Sequence, residues 1–455
     1  MPAQQGISTT TEYLLWADAP RPSEESIYLF FDKAGCFWYL SAMSDDTQAS
    51  PEEVKKKAAD SNCAKCGACM TVCPVFRVEG RESLTARGRL HLLAASSGPP
   101  TAALAEIFTR CLLCGACEQV CPRTLPIMRL IVAARSRLPP LLAPGSLSTS
   151  VACAVLARPA LLNNLLTLGT LLGVGLQRLH ALPKNSGLRL KLALREECPT
   201  PSLPPPPENR LHVEEGLAYF LGCFAQYLQP SISAATLRLL RRCGLTAQIP
   251  AGQSCCGLAA WSSGKTELAK ELARRNISTF TGSGPVLTSC ASCAAHLRGL
   301  PELFAEHDPW RSKARALAGR IQEFTSFFKE RLAPSKASGL RVFWHDPCHL
   351  RVQQAGRDRP RQLLRDQGFS IVEPNNGPRC CGQGGLFHLA CPDTAAKLLQ
   401  RCSSQICAAQ PDYLITTCSG CLMQLGQGLA VQGSGIRVAH LAVLLEEGGG
   451  GTNYD

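Results

Sequence analysis

Aromatic residues make up only 6% of this 455-residue chain, and histidine occurs just 9 times. The opening MPAQQGISTTTEY has neither the basic start nor the apolar run of a secretory leader, and no twin arginine precedes the cysteine motifs. Export is therefore not indicated, nor is the disulfide framework of small exported domains, although the chain holds 25 cysteines. The apolar stretch 160–176 is interrupted by Asn163, Asn164 and glycines, and falls short of the roughly 20 residues needed to cross a bilayer. No G-x-G-x-x-G opens a helix, so a dinucleotide fold is not indicated. SSGKT (262–266) lacks the first glycine of a phosphate loop, because Ala259 stands there. No nucleophile–base arrangement stands out. The net charge of +12 is spread along the chain without a helix-turn-helix or zinc-finger pattern. This speaks against nucleic acid and favours an acidic partner or an anionic membrane face.

What the chain does have is patterned cysteine. Cys63, Cys66, Cys69 and Cys73-Pro74 spell C-x2-C-x2-C-x3-C-P, and Cys111, Cys114, Cys117 and Cys121-Pro122 repeat it. This is the ligand spacing of two [4Fe–4S] cubanes. A cubane needs thiolates from several directions. In two-cluster proteins the fourth cysteine of each run serves the other cluster. The expected sets are thus Cys63, Cys66, Cys69 with Cys121, and Cys111, Cys114, Cys117 with Cys73. Zinc would not explain the doubled C-P.

A second pattern is repeated over the rest of the chain. Cys223, Cys255-Cys256-Gly and Cys290/Cys293 recur as Cys348, Cys380-Cys381-Gly and Cys418/Cys421. The first two landmarks are 125 residues apart between copies (348 − 223 and 380 − 255), and the closing pair 128 (418 − 290). Each copy is long enough to be a small domain. An apolar run, a helix, an extended piece (LTAQIP; FSIVEP), a second helix and a further apolar run predict βαβαβ order and a parallel sheet, with cysteines where strands end. The copies are expected to pair about a local twofold. Five thiols per copy exceed a tetrahedral zinc site. An iron–sulfur centre is the preferred occupant, with zinc or an empty thiol set as rivals. Cys36, Cys153, Cys198, Cys243, Cys391, Cys402 and Cys407 have no ligand spacing and read as packed or surface thiols. His296, His345, His349 and His388 lie near the motifs, where packing is the commoner role for a lone histidine.

The resulting architecture is a multidomain α+β protein, an α-helical two-cluster ferredoxin module followed by tandem α/β cysteine-rich (CCG) domains. Residues 1–50 form an N-terminal tail. Met43 reads as the natural start, the alternative being a strand-like tail docked on the surface. Residues 51–140 are the ferredoxin domain, and 141–210 a helical connector with a proline-rich linker at 199–207. Residues 211–335 and 336–447 are the two CCG domains, and 448–455 a flexible tail. Arg178, Lys184, Arg189, Lys191 and Arg195 flank the apolar stretch and leave peripheral membrane contact open.

This layout resembles the iron–sulfur subunit of glycolate oxidase and is similar to those of D-lactate and anaerobic glycerol-3-phosphate dehydrogenases. The CCG domains also resemble the cysteine-rich subunit of heterodisulfide reductase. TARGRLHLL (85–93), FTRCLLCGACEQVCP (108–122), GCFAQ (222–226) and CCGQGGLFHL (380–389) look like the glycolate-oxidase pattern, and DPCHLRVQQAG (346–356) like the lactate-type one. The resemblance implies an electron-transfer subunit of a cytoplasmic 2-hydroxy acid dehydrogenase, peripheral at most on the inner face of the cell membrane. FAD and the substrate chemistry would belong to a partner subunit, with quinone or another acceptor beyond. Its alternative is a CCG site performing thiol–disulfide chemistry.

Overall fold

The computed structural model describes residues 30–31, 37–38, 63–96, 99–139, 142–158, 216–336, 338–353, 358–374, 377 and 379–447. Contacts divide the chain into two units, 1–48 and 49–455. In the first, Phe30–Phe31 (β1) and Phe37–Trp38 (β2) pair antiparallel. Met43, the apolar stretch 160–176, the linker 199–207, Cys36, Cys198 and the tail 448–455 lie outside the described residues.

The second unit begins with short helices wrapped around cysteine loops. These are Ala68–Val72 (α1), Pro74–Glu79 (α2), Ala86–Ala95 (α3), Ala102–Thr109 (α4), Ala116–Gln119 (α5), Ile127–Arg135 (α6) and Ser146–Ala157 (α7). Thr85 and Thr101 cap α3 and α4 by accepting from Gly88 N and Leu104 N. Leu90, Phe108, Ile127 and Ile131 form the core beneath the loops. Buried Arg89 holds that core together through the carbonyls of Leu84, Ile107 and Arg110.

Each cysteine-rich copy is built on a parallel sheet. In copy 1, Ala218–Phe220 (β3), Val286–Thr288 (β4) and Ile321–Glu323 (β5) lie in the order β3-β4-β5. In copy 2, Arg341–Trp344 (β6), Ser370–Val372 (β7), Tyr413–Thr416 (β8) and Arg437–His440 (β9) lie in the order β7-β6-β8-β9. Phe220 pairs with Thr288 and Trp344 with Ile415, so strand ends are level and the following cysteines reach one rim. The expected βαβαβ order holds in copy 2. In copy 1 the piece LTAQIP makes only an isolated bridge, Ala218 to Gln248, because Pro250 has no N–H with which to continue a ladder. Strands β5 and β9 were not expected.

Helices pack on these sheets. Thr266–Thr279 (α8) buries Ala269, Leu272, Ala273, Asn276 and Ile277 along one face. Pro392–Ala409 (α9) is its counterpart and buries Ala395, Leu398, Cys402 and Ile406. Corresponding segments of the two copies meet, and Ala291 N donates to Thr417 O at 2.9 Å.

Candidate iron–sulfur sites

The two ferredoxin loops share one backbone signature. Lys65 and Leu113, each preceding the second cysteine, have φ of 52° and 53°. Gly67 and Gly115, each following it, have φ of 81° and 78°. A left-handed residue on either side of the cysteine bends each loop tightly, the kind of backbone turn that can form an anion-binding concavity. One arginine fastens each loop. Arg87 Nη1 donates to Lys65 O at 2.8 Å, and Arg135 Nη2 donates to the carbonyls of Thr109, at 3.0 Å, and Cys111. Burial pushes the Arg135 guanidinium down to about 10, which leaves it charged at neutral pH.

Cys73 joins Cys111, Cys114 and Cys117 in lining one cavity, walled by Ile127, Met128 and Ile131 and by no carboxylate. The fourth cysteine of the first run thus sits among the first three of the second. Burial, with neighbouring thiols adding to it, pushes Cys114 and Cys117 far above the ordinary thiol range. Cys63 lies beside Cys69, and both pack with Cys121 on the helical core; Cys66 is exposed. Arg87, which stands against Cys69, keeps its buried Nε without a partner among the described residues. An all-sulfur donor set, tightly turned loops and an orphaned guanidinium N–H fit a sulfide-bearing [4Fe–4S] anion.

All five cysteines of each CCG copy come together. In copy 1, Cys255 contacts Cys223 and Cys256, Cys256 contacts Cys293, and Cys293 contacts Cys290. In copy 2, Cys381 Sγ lies 3.3 Å from Cys421 Sγ and also contacts Cys380. Cys418 contacts Cys421, and Cys348 lies near Cys381 and Cys418. Thiol–thiol contacts drive Cys255 and Cys381 well down and push Cys223 and Cys380 up. Metal ligation draws on thiolates, and each set brings five sulfurs close enough to supply them.

The sites are also close to one another. Cys114 of the second ferredoxin loop lies near Cys348, and Cys380 near both. These three thiols line a crevice of about 450 Å³ rimmed by Arg77, Arg351, Arg379 and Arg401. Cys290 of copy 1 contacts Cys418 of copy 2. Ser292 bridges there too, its Oγ 3.0 Å from Cys418 Sγ and 2.7 Å from His349 Nδ1. Copy 2 is pressed onto the ferredoxin module. Gly384 has φ of +46°, and a Cβ there would stand 2.7 Å from Leu112 Cδ2 in the Cys111–Cys114 loop. Glu79 accepts from Thr394 Oγ1 at 2.9 Å and Lys397 Nζ at 3.1 Å.

Among the four histidines, His345 comes nearest to ligation: one of its nitrogens, Cys381 Sγ and Cys421 Sγ all lie within 4.8 Å of one another. His296 is buried with Nε2 unpartnered among the described residues, and burial pushes it down to about 4. His388 Nδ1 faces Gln383 Nε2 at 3.0 Å. Of the cysteines without ligand spacing, Cys153, Cys391 and Cys402 are buried, and Cys243 and Cys407 partly so. Sequence reasoning missed the arginine clamps and the Ser292 bridge. Arg87 and Arg89 lie inside TARGRLHLL, but nothing in that string shows which carbonyls they reach.

A dicluster ferredoxin module with tandem cysteine-rich domains defines an iron–sulfur electron-transfer protein of the oxidoreductase class. Family models agree: 59–125 match the 4Fe-4S dicluster domain, and 217–298 and 342–426 match the cysteine-rich domain. Lactate utilization protein A of Geobacillus sp. (strain WCH70) is 33% identical over 234 residues, 50% of this chain and 98% of its own. The Exiguobacterium sp. protein of that name is 32% identical over 238 residues, 51% of this chain and 97% of its own. A hypothetical protein from Helicobacter pylori has a TM-score of 0.38 at 13% identity, over 59% of this chain and 56% of that one, a likeness too loose to bear on the fold. The chain belongs to the iron–sulfur family of lactate utilization protein A, related to glycolate oxidase and D-lactate dehydrogenase iron–sulfur subunits. No described helix is long and apolar enough to cross a membrane.

Proposed function

We propose that the chain is the electron-transfer subunit of a flavin-dependent 2-hydroxy acid dehydrogenase, with D-lactate the favoured substrate and glycolate the second. The names of the relatives support lactate. In this reading Cys63, Cys66, Cys69 and Cys121 hold one [4Fe–4S] cluster, and Cys73, Cys111, Cys114 and Cys117 the other. Cys223, Cys255, Cys256, Cys290 and Cys293 hold a third iron–sulfur centre, and Cys348, Cys380, Cys381, Cys418 and Cys421 a fourth. Such groups, when bound, take up and release single electrons.

The observation that carries the reading is the closeness of the second ferredoxin thiol set to the CCG sets in turn, copy 2 first and copy 1 through it. Cys114 stands against Cys348 and Cys380, and Cys290 against Cys418. The protein's own work is to hold these sets side by side, bury them from water and place arginines around them. No described residue arrangement serves hydride removal from a hydroxy acid, so that step falls to a partner carrying FAD. Quinone or another acceptor would draw electrons from the CCG end. Peripheral contact with the inner membrane face fits a quinone.

The partner complex tests this directly. Cys63→Ser or Cys111→Ser should leave substrate-driven flavin reduction intact and abolish acceptor reduction. Full turnover to the acceptor in either variant would refute the relay.

A further inference from the structure

The matching cysteines of the two CCG copies lie in unmatched surroundings. Phe220 and His345 hold the same place, three residues before Cys223 and Cys348. Asn276 and Cys402 correspond as well. Gly257 packs near Ala269 and Gly382 against Ala395, and each residue follows seven positions later on its helix. In copy 1, Asn276 commits its polar atoms to the loop backbone, accepting from Ser254 N at 2.9 Å and donating to Cys255 O at 3.0 Å. Phe220 faces Phe280, with ring centroids 5.8 Å apart. Neither position offers an N–H to a thiol. In copy 2, Cys402 Sγ lies 3.9 Å from His345 Nδ1, and a ring nitrogen of that imidazole lies within 4.8 Å of Cys381 Sγ. His345 is 3% exposed, Cys381 4% and Cys402 2%.

We propose that His345, oriented by Cys402, is a positioning residue that donates an N–H to the Cys381 thiolate and holds the reduction potential of site 2 above that of site 1. This rests on the reading that both CCG sites hold iron–sulfur centres. Copy 1 gathers the same five thiols with Phe220 in place of the imidazole, so ligation does not require His345. A hydrogen bond to a ligand sulfur stabilises the reduced, more negative state over the oxidised one, and raises the potential. In a buried, low-dielectric setting that bond counts for more than at a surface. Site 2 is also the CCG site next to Cys114, so electrons leaving the ferredoxin module meet the deeper well first.

The test uses the whole chain, purified anaerobically after growth on 15N-labelled histidine. Pulsed electron paramagnetic resonance of the reduced protein should show a weak nitrogen coupling on the site 2 signal that changes with the isotope. His345→Phe should remove that coupling and lower the site 2 midpoint toward that of site 1. His345→Gln, which retains a donor, should recover part of the shift, and Cys402→Asn should lie between. An isotope-independent signal overturns the proposal, as does a coupling of ligand strength or an unshifted midpoint in His345→Phe. Because the labelled chain is unmutated, its result stands even if the variants fail to fold. Iron that stays at about eight per chain, four for each cubane, would sink both this proposal and the reading of site 2. Iron in clear excess with no nitrogen effect would sink this proposal alone.

Discussion

The two cysteine-rich copies keep the same five thiols and differ in nearly everything that touches them. Before the first cysteine, copy 1 has Phe220 and Leu221 where copy 2 has His345 and Asp346. Asp346 is part of a buried charge network that begins with Trp344. It accepts from Trp344 Nε1 at 2.9 Å and from Arg361 Nη1 and Nη2 at 2.9 and 2.6 Å, and Arg361 Nε reaches Glu373 at 2.6 Å. Copy 2 is also the one that meets the ferredoxin loop through Cys348, Cys380 and Gly384. Duplication preserved the donor atoms, whereas the surroundings diverged. Copy 2 places His345 and Asp346 before its first cysteine, whereas copy 1 has a buried histidine, His296, three residues after its last.

The comparison breaks most visibly if the junction is cut. Cys381→Ser should leave copy 1 unreachable from the ferredoxin module, whereas Cys255→Ser should leave copy 2 reducible. Stepwise anaerobic reduction followed by paramagnetic resonance separates the two. Equal loss in both variants would remove the order of sites argued above.

Next in size is the charge network. Asp346→Asn strips the carboxylate from a guanidinium whose side chain is 8% exposed. Losing one of its two carboxylate partners should cost about 1.5–3 kcal/mol, the range of a hydrogen bond to a charged group, read as a lowered denaturation midpoint at unchanged slope. The equivalent Leu221→Ala in copy 1 tests ordinary packing, at about 2–5 kcal/mol. A loss below about 1 kcal/mol for Asp346→Asn, within the range of an ordinary substitution, would mean that Glu373 alone satisfies Arg361.

Much of this division was legible in the sequence. Cysteine spacing fixes its own reading, because four thiolates on a cubane demand short loops and a distant fourth ligand, and the 125-residue registration exposes the repeat. Strands β5 and β9 were not legible: IQE and RVAH are too short for alternation to register. His345 was visible as a residue near a motif, but its contact with Cys381 depends on where β6 ends relative to a distant loop, which no local pattern encodes. The same holds for Arg135, whose reach to Cys111 crosses a helix.

A smaller effect separates the copies at Gly384. Copy 1 has Ala259 at the corresponding place after its Cys-Cys-Gly. Gly384→Ala therefore makes copy 2 resemble copy 1, at the cost of a methyl group 2.7 Å from Leu112 Cδ2 and a left-handed φ of +46°. Overpacking of this kind should cost about 1–3 kcal/mol and disturb the Cys111–Cys114 loop, visible as a changed signal from the adjacent cubane.

The smallest effect lies at Glu79, where α2 of the ferredoxin module meets α9 of copy 2. Partial burial raises its carboxyl, but the hydrogen bonds from Thr394 and Lys397 outweigh that and hold it below the usual carboxylate range. A carboxyl that is more acidic in the folded state adds stability above its unfolded value of about 4.3, and loses it as pH falls through the folded value. Glu79→Gln should thus be less stable than the native chain at neutral pH, by about 0.5–1 kcal/mol because Lys397 is exposed and screened. The gap should close on acidification below the unfolded carboxyl value. Urea titrations of both proteins from neutral pH down past that value read it directly. A gap that widens in acid would reverse the sign of the linkage and show that Thr394 prefers the protonated carboxyl, which would turn this contact from an ionic clasp into a neutral one.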